Sequence, residues 1–294
     1  MSDPTMSDPL LPIDGDPWGY RGRRVVVTGA ASGMGKAACQ ILLSLGADVV
    51  GVDIAPVELE AVRSVAIDLG DPRSIDAGAK AIGGSVDGLF NCAGIPGTAD
   101  PRVILAINFC GLRQLTEQVV PLMPRGSAIC NIGSTAAVSW PYHVDSLLEL
   151  LGLDDYQQGL DWLDGHLEEL GYPYDVSKEA VNAYTAWRAV SLNEAGIRMN
   201  CVNPGGTRTP ASREFTKAVK AKAFGAEMIE HWPKLMGRMA QPGEQAWPMV
   251  FLNSPFASFI TGATFYVDGG LTAGVFTQQH HPDVAAGMFW RPPR

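Results

Sequence analysis

The sequence predicts an α/β fold, a parallel sheet covered by helices on both faces, and three observations carry that prediction. Short apolar runs alternate with stretches of helical spacing from Arg23 onward. A glycine-rich turn joins the first of those runs to the first helix. At 294 residues and 46% apolar composition, the chain can bury the core of one large domain.

Residues 1–20 hold the near-repeat Met1-Ser2-Asp3-Pro4 and Met6-Ser7-Asp8-Pro9, then more Pro, Gly and Asp, and read as a flexible tail. Val25-Val26-Val27 is a short buried strand. It runs into Thr28-Gly29-Ala30-Ala31-Ser32-Gly33-Met34-Gly35 and the apolar-periodic stretch from Ala37 to Leu45. Glycines at such a turn let the backbone approach a phosphate, and the helix behind them offers free N–H groups and the positive end of its dipole. The strand before and the helix after make this a dinucleotide grip rather than an ordinary tight turn.

A second strand, Asp48 to Val52, ends in Asp53. A carboxylate there can accept hydrogen bonds from ribose hydroxyls and would repel a 2'-phosphate. The glycine turn carries no Lys or Arg to offset that repulsion, so NAD is expected over NADP. Val65-Ala66-Ile67-Asp68 reads as the third strand, and Val86 to Phe90 as the fourth, leading into Asn91-Cys92-Ala93-Gly94. The ligand crevice of such a sheet lies at the carboxyl ends of its strands.

Tyr174 and Lys178 stand four positions apart in a stretch of helical spacing, on one face of the helix. A lysine ammonium beside a phenol favours the phenolate and would draw the tyrosine toward working pH, which makes the pair a candidate acid-base device.

TGxxxGxG, Asn91-Cys92-Ala93-Gly94, Asn108 in an apolar helical run, Ser134 after a strand, YxxxK, and Asn203-Pro204-Gly205 follow one another in the order of the short-chain dehydrogenases/reductases. The resemblance covers roughly residues 23–270. It implies a single Rossmann-like doubly wound sheet over residues 21–271, with a helical insertion at about 141–172 before Tyr174. It also implies a substrate loop at about 208–237 and an added terminal segment, 272–294.

By that resemblance Ser134 would hold the substrate oxygen, with Thr135 and Ser139 as rival positions. Tyr174 would be the general acid or base, Lys178 would hold the nicotinamide ribose and lower the tyrosine pKa, and Asn108 would anchor a proton relay. Gly29, Ser32, Gly33, Met34, Gly35, Asp53 and Ile54 would hold the pyrophosphate and adenosine ribose. Asp68 and Leu69 would meet adenine, and Asn91, Ala93 and Gly94 would line the adenosine path. Pro204, Gly205, Thr207 and Thr209 would meet the carboxamide and phosphates, although Thr207 replaces the usual aliphatic residue.

Ser134 and Tyr174 lie 40 positions apart, farther than the family commonly places them, and the surplus is acidic. Between Pro141 and Pro173 there are eight Asp or Glu residues and no Lys or Arg. The rest of the chain holds 23 acidic against 22 basic residues, so the net charge of -9 belongs to one segment, and no nucleic-acid surface is expected. Leu160, Leu163, Leu167 and Leu170 recur there at helical spacing, giving an amphipathic helix that is either a surface ornament or functional.

Only 14 residues separate Asp53 from Asp68, and 16 separate Asn91 from Asn108. Short early connections with a long insertion resemble the 3α-hydroxysteroid dehydrogenase/carbonyl reductase branch and, next, coniferyl-alcohol-dehydrogenase-like relatives. In that branch the insertion obstructs a helix-helix interface, which implies a homodimer formed through another surface.

Met228, His231-Trp232, Leu235 and Met236 in the loop after Gly205 would either fold over an apolar ligand or pack on the sheet. Trp140, Tyr142 and Tyr172 could add apolar walls. With no cationic pair in view for a carboxylate, the expected substrate is a neutral, hydrophobic, cyclic alcohol or ketone. Phe276, Met288, Phe289 and Trp290 suggest that the terminal segment docks, disorder being the alternative.

Five cysteines without ligand spacing read as reduced, buried thiols, and His280-His281 without neighbouring ligands gives no metal site. No apolar run approaches the roughly 18 residues of a membrane span, and the N-terminus lacks an export pattern. A cytoplasmic NAD(H)-linked oxidoreductase is therefore expected, with an aryl alcohol dehydrogenase or a non-catalytic dinucleotide sensor as its rivals.

Overall fold

The computed structural model describes residues 16–221, 234–277 and 279. Its strands are β1 (Arg24–Thr28), β2 (Asp48–Asp53), β3 (Val62–Ala66), β4 (Gly88–Asn91), β5 (Ala128–Ile132), β6 (Arg198–Pro204) and β7 (Thr264–Val267). They form one sheet in the order β3-β2-β1-β4-β5-β6-β7, with every neighbouring pair parallel. The chain reverses its direction of travel across the sheet between β1 and β4, which opens the crevice at their carboxyl ends.

Alternation along β1 builds two cores. Val25 and Val27 face helices α1 (Gly33–Ser44) and α10 (Pro242–Asn253), while Val26 belongs to the opposite layer. That second layer contains α2 (Pro72–Ile82), α3 (Pro101–Leu105), a π-helical segment (Ala106–Gly111), α4 (Leu112–Val119) and the long α8 (Pro173–Leu192). Helix starts follow local chemistry: Asp71 caps α2 by accepting from Arg73 N at 3.0 Å, with Pro72 behind it.

The third strand is displaced from the sequence expectation, occupying Val62–Ala66 rather than the run ending at Asp68. As an edge strand it is mostly exposed, so its own pattern is weakly apolar. Ile67 and Leu69 are buried after the chain has left the sheet, not within it.

The insertion folds as three helices, α5 (Val144–Leu151), α6 (Tyr156–Gly165) and α7 (Leu167–Leu170). The expected single amphipathic helix is broken at His166, whose Nδ1 lies 2.7 Å from the Trp162 carbonyl and whose ring stacks on Trp162. Leu160, Leu163 and Leu170 are buried, as are Leu147 and Leu150 of α5, which the sequence reading did not anticipate. Arg102 of α3 pairs with Asp161 and Asp164, which spends part of the acidic excess on the fold itself.

Residues 16–20 depart from the expectation of a flexible tail and pack on the domain. Tyr20 is buried and donates to the Val250 carbonyl at 2.7 Å, and Trp18 lies tilted against Trp247 and edge-on to Phe256. At the other end, α11 (Leu271–Phe276) buries Leu271 and Thr272, so ordered packing continues past residue 271. Residues 1–15, the loop residues Met228, His231 and Trp232, His280-His281, and Met288, Phe289 and Trp290 lie outside the described residues.

Cys39, Cys110, Cys130 and Cys201 are buried, Cys92 is half-buried, and all five are free thiols. Among the described residues, no helix is long and apolar enough to cross a membrane.

Candidate active site

One half of the crevice is made of backbone. Gly29 has φ +68°, and a Cβ on it would stand 2.9 Å from Ala93 N. A Cβ on Gly35 would stand 2.2 Å from the Gly29 carbonyl oxygen, so no side chain fits where α1 meets the turn. Gly33, at φ +55°, lies against the Thr209 side chain. Ser32 caps α1 without a side-chain hydrogen bond, and half-buried Met34 packs beside the sheet. Thr28 ties the turn to the next strand, its Oγ1 accepting from both Cys92 N and Ala93 N at 3.0 Å.

Asp53 closes this half. Its Oδ2 accepts from Ala31 N and its Oδ1 from Ala55 N, both at 3.0 Å, and Ile54 beside it is exposed. The carboxylate therefore sits at the turn's rim with lone pairs left to accept ribose hydroxyls. Asp68 Oδ1 accepts from Gly70 N at 2.8 Å, and the buried Leu69 gives its carbonyl to the Tyr156 hydroxyl at 3.2 Å. A cradle that only glycine can line, under a helix N-terminus and beside a carboxylate, fits a dinucleotide.

The structure reassigns several side chains in this group. Asn91 is buried, and its Nδ2 donates to Thr116 Oγ1 at 2.9 Å and Asn131 Oδ1 at 2.8 Å, so it ties β4 to its neighbours and only its backbone lines the path. Thr207 turns inward, donating to the Gly205 carbonyl at 3.0 Å and accepting from Gln245. Thr209 Oγ1 accepts from Ser212 N at 3.1 Å and caps α9 (Pro210–Lys220), leaving its methyl group toward Gly33. Gly205 follows Pro204 at the end of β6 and lies so close to Asp268 that a Cβ would stand 2.7 Å from its Cα.

The other half is made of side chains brought from distant segments. Ser134 follows β5, with its backbone N–H held by Asn203 Oδ1 at 3.0 Å and its Oγ accepting from Ala136 N at 3.1 Å. Its rival Thr135 is buried beneath it, and Ser139 lies beyond the following turn. Tyr174 stands in the first turn of α8, half-buried, with Ser134 near enough to its phenol to favour ionisation. Lys178, one turn on and 3% exposed, donates to the Ile132 carbonyl at 2.9 Å, with Nζ 6.0 Å from the Tyr174 ring centroid.

Asn108 is fully buried in the π-helical segment. Its Oδ1 accepts from Ile95 N at 2.8 Å and its Nδ2 donates to the Ile95 carbonyl at 3.1 Å, clamping the chain just past Gly94. A Cβ on Gly94 would stand 3.1 Å from the Asn108 Oδ1 and in ordinary contact with Lys178 Nζ, so the loop passes close to both. Tyr172, exposed at the cap of α8, donates to the Gly97 carbonyl and fixes the same loop from outside.

The electrostatics correct one expectation. Burial pushes the Tyr174 phenol up, a hydrogen bond from Ser134 pulls it back, and the Asp175 charge adds to the rise. Burial likewise disfavours the Lys178 ammonium, bringing it down to about 8. In the free protein, desolvation is the largest influence on the phenol.

Sequence reasoning missed Asn203 as the holder of Ser134, and Thr28 as the holder of the Cys92-Ala93 step. Both stand inside motifs that were read, Thr28 at the head of TGxxxGxG and Asn203 at the head of Asn203-Pro204-Gly205.

Comparison with known proteins agrees with this geometry. A family described as short chain dehydrogenase matches residues 23–144, and one described as enoyl-(acyl carrier protein) reductase matches residues 167–272. The stretch between these matches is most of the insertion. The chain is 32% identical over 255 residues to a coniferyl-alcohol dehydrogenase of Pseudomonas sp. (strain HR199), covering 85% of this chain and 97% of that one. It is 32% identical over 254 residues to a 3-alpha-hydroxysteroid dehydrogenase/carbonyl reductase of Comamonas testosteroni, covering 85% and 96%. The crystal structure of a 3-alpha-hydroxysteroid dehydrogenase from Pseudomonas sp. B-0831, complexed with NADH, superposes with a TM-score of 0.73 at 27% identity, covering 88% of this chain and all of that one.

Proposed function

The chain belongs to the short-chain dehydrogenase/reductase family, and from that premise we propose an NAD(H)-linked oxidoreductase that interconverts a secondary alcohol and a ketone on a hydrophobic, cyclic, hydroxysteroid-like substrate. The observation that carries the reading is the meeting of Ser134, Tyr174 and Lys178 at the carboxyl end of β5, beside the glycine-lined cradle. Gly29, Gly33 and Gly35 would admit the pyrophosphate, Asp53 the adenosine ribose, and Lys178 the second ribose.

When bound, the nicotinamide supplies the acceptor or donor of hydride. Ser134 Oγ orients the substrate oxygen. The Tyr174 phenolate takes the hydroxyl proton in oxidation, and the phenol returns it in reduction. The Lys178 ammonium, anchored on Ile132, stabilises the phenolate once ribose hydroxyls join the pair. Asn108 fixes the loop wall and, through its place in the π-helical segment, the route by which the proton reaches solvent.

Met236 and Leu235, both exposed beside Gly269 and Gly270, suit an apolar ligand, as do Tyr142 and Tyr172. An aryl primary alcohol is the second reading, favoured by similarity to the coniferyl-alcohol dehydrogenase. The protein is expected to work in the cytoplasm as a homodimer, because the insertion packs on α3 and α8 and covers helix faces that another subunit would need. A tetramer in light scattering would refute that arrangement.

The test follows reduced nicotinamide by absorbance, with NAD and a panel of hydroxysteroids, cyclic alcohols and aryl alcohols. Turnover of the first two groups supports the proposal, and turnover of aryl alcohols alone supports the second reading. Tyr174→Phe should lower kcat by about 10²–10⁴-fold while NADH still binds. A protein that binds NADH yet turns over nothing on the panel would be the sensor instead.

A further inference from the structure

The insertion before α8 has no part in the proposed mechanism, yet it grips one wall of the reacting centre at two points. That wall is the loop after β4. At Gly94 a Cβ would stand 3.5 Å from Lys178 Nζ, and at Gly97 a Cβ would stand 3.0 Å from Tyr174 Cβ. The loop thus passes from the lysine to the tyrosine. A substrate whose oxygen is held by Ser134 and Tyr174 has this loop along one side.

The loop has little structure of its own to keep it there. Thr98, Ala99 and Asp100 are exposed, and the turn they follow is closed by a long bond, Ala99 N to the Pro96 carbonyl at 3.4 Å. Its position is imposed by neighbours. Asn108 clamps Ile95 from within the domain. Tyr172, the last residue of the insertion, donates to the Gly97 carbonyl. A Cβ on Gly97 would stand 2.9 Å from the Tyr172 hydroxyl, so loop, strap and catalytic helix meet without room for a side chain. Beyond the loop, Asp100 caps α3 by accepting from Arg102 N at 3.0 Å. The Arg102 guanidinium pairs with Asp161 and with Asp164 of α6, the latter at 3.0 Å.

We propose that Tyr172 is a positioning residue that decides substrate specificity, its hydrogen bond to Gly97 making the loop after β4 a fixed wall beside Tyr174. The role rests on the alcohol and ketone chemistry proposed for Ser134, Tyr174 and Lys178. A wall already in place favours a rigid polycyclic substrate that lies along it, because less ordering remains to be done on binding. A small ring, held at its oxygen, does not extend along the wall and gains less. The two grips are unequal. Tyr172 acts on the loop itself, whereas Arg102, Asp161 and Asp164 hold only its far end, through side chains 39%, 58% and 45% exposed, where ion pairs contribute little.

Tyr172→Phe keeps the ring and removes the bond, so it separates the strap from any apolar contact the ring makes. Hydrogen exchange over residues 97–100 should quicken by about three- to tenfold, while exchange over the turn from Gly29 to Gly35 stays the same. The ratio of kcat/KM for a hydroxysteroid to that for cyclohexanol should fall by about the same factor, with the dissociation constant for NADH unchanged. Arg102→Gln should move exchange and ratio in the same direction by a smaller amount. Unchanged exchange in Tyr172→Phe would overturn the strap, and so would equal quickening in the glycine turn, which marks a general loss of stability. Quickened exchange with an unchanged ratio would overturn the role in specificity. If no alcohol is oxidised, the ratio is read as the affinity of the NADH complex for a steroid ketone against cyclohexanone, by nicotinamide fluorescence. Absent turnover with both shifts present would defeat the proposed reaction and leave the strap standing.

Discussion

The two halves of the crevice solve opposite problems. The half around Gly29, Gly33 and Gly35 works by leaving side chains out, so its geometry is written in adjacent residues of one turn. The half around Ser134, Tyr174 and Lys178 works by bringing side chains in, from segments 40 positions apart and with a three-helix insertion between them. The first depends on local conformation, and the second on how β5, β6 and α8 pack. Damage to the first should therefore weaken dinucleotide binding, while damage at Ser134 or Tyr174 should spare binding and remove turnover.

Four substitutions sharpen that contrast. Gly35→Ala places a Cβ against the Gly29 carbonyl and should weaken NADH binding by on the order of a hundredfold, read by fluorescence titration. Ser134→Ala should lower kcat by about 10²-fold with the dissociation constant for NADH unchanged, and a matching loss of NADH affinity would merge the two halves. Asp53→Ala should change the preference for NAD over NADP by roughly tenfold in kcat/KM, without the loss of turnover seen at Ser134. The smallest effect concerns stability. Burial holds the proton on folded Asp175 up to about 7, above the ordinary 3.8 of an exposed Asp. The folded state thus gains from a neutral Asp175 at low pH, and that gain is lost as pH rises through about 7. Asp175→Asn should raise Tm at pH 8 by about 2–4 °C, the shift expected from 1 kcal/mol in a domain of this size, and the difference should shrink below pH 6.

The same contrast explains what could be read from the sequence. The glycine turn, Asp53 and the YxxxK pair were legible because each is written in a short run of residues, although Ala93, Thr209 and Ala31 hold the turn and Asp53 from farther along the chain. The edge strand β3 was displaced because its faces are mostly exposed, while Ile67 and Leu69 owe their burial to helices packed below the sheet. The insertion's leucine periodicity was visible, but not the break at His166, which depends on a ring stacking back on Trp162. Asn91 and Thr207 matched a motif, yet their side chains turn to Thr116 and Gln245, partners far along the chain. The direction of the Tyr174 shift was the least accessible, because its largest cause is burial, which depends on everything packed around α8.

The buried thiols have a practical use. Burial pushes Cys39, Cys110 and Cys201 up to about 12, and raises Cys92 and Cys130 as well, so little reactive thiolate exists in the folded protein. They are spread over α1, the loop after β4, the π-helical segment, β5 and β6. Alkylation of Cys39, Cys110, Cys130 and Cys201 must then wait for the molecule to open, and the pace of labelling at each becomes a clock for which layer breathes first.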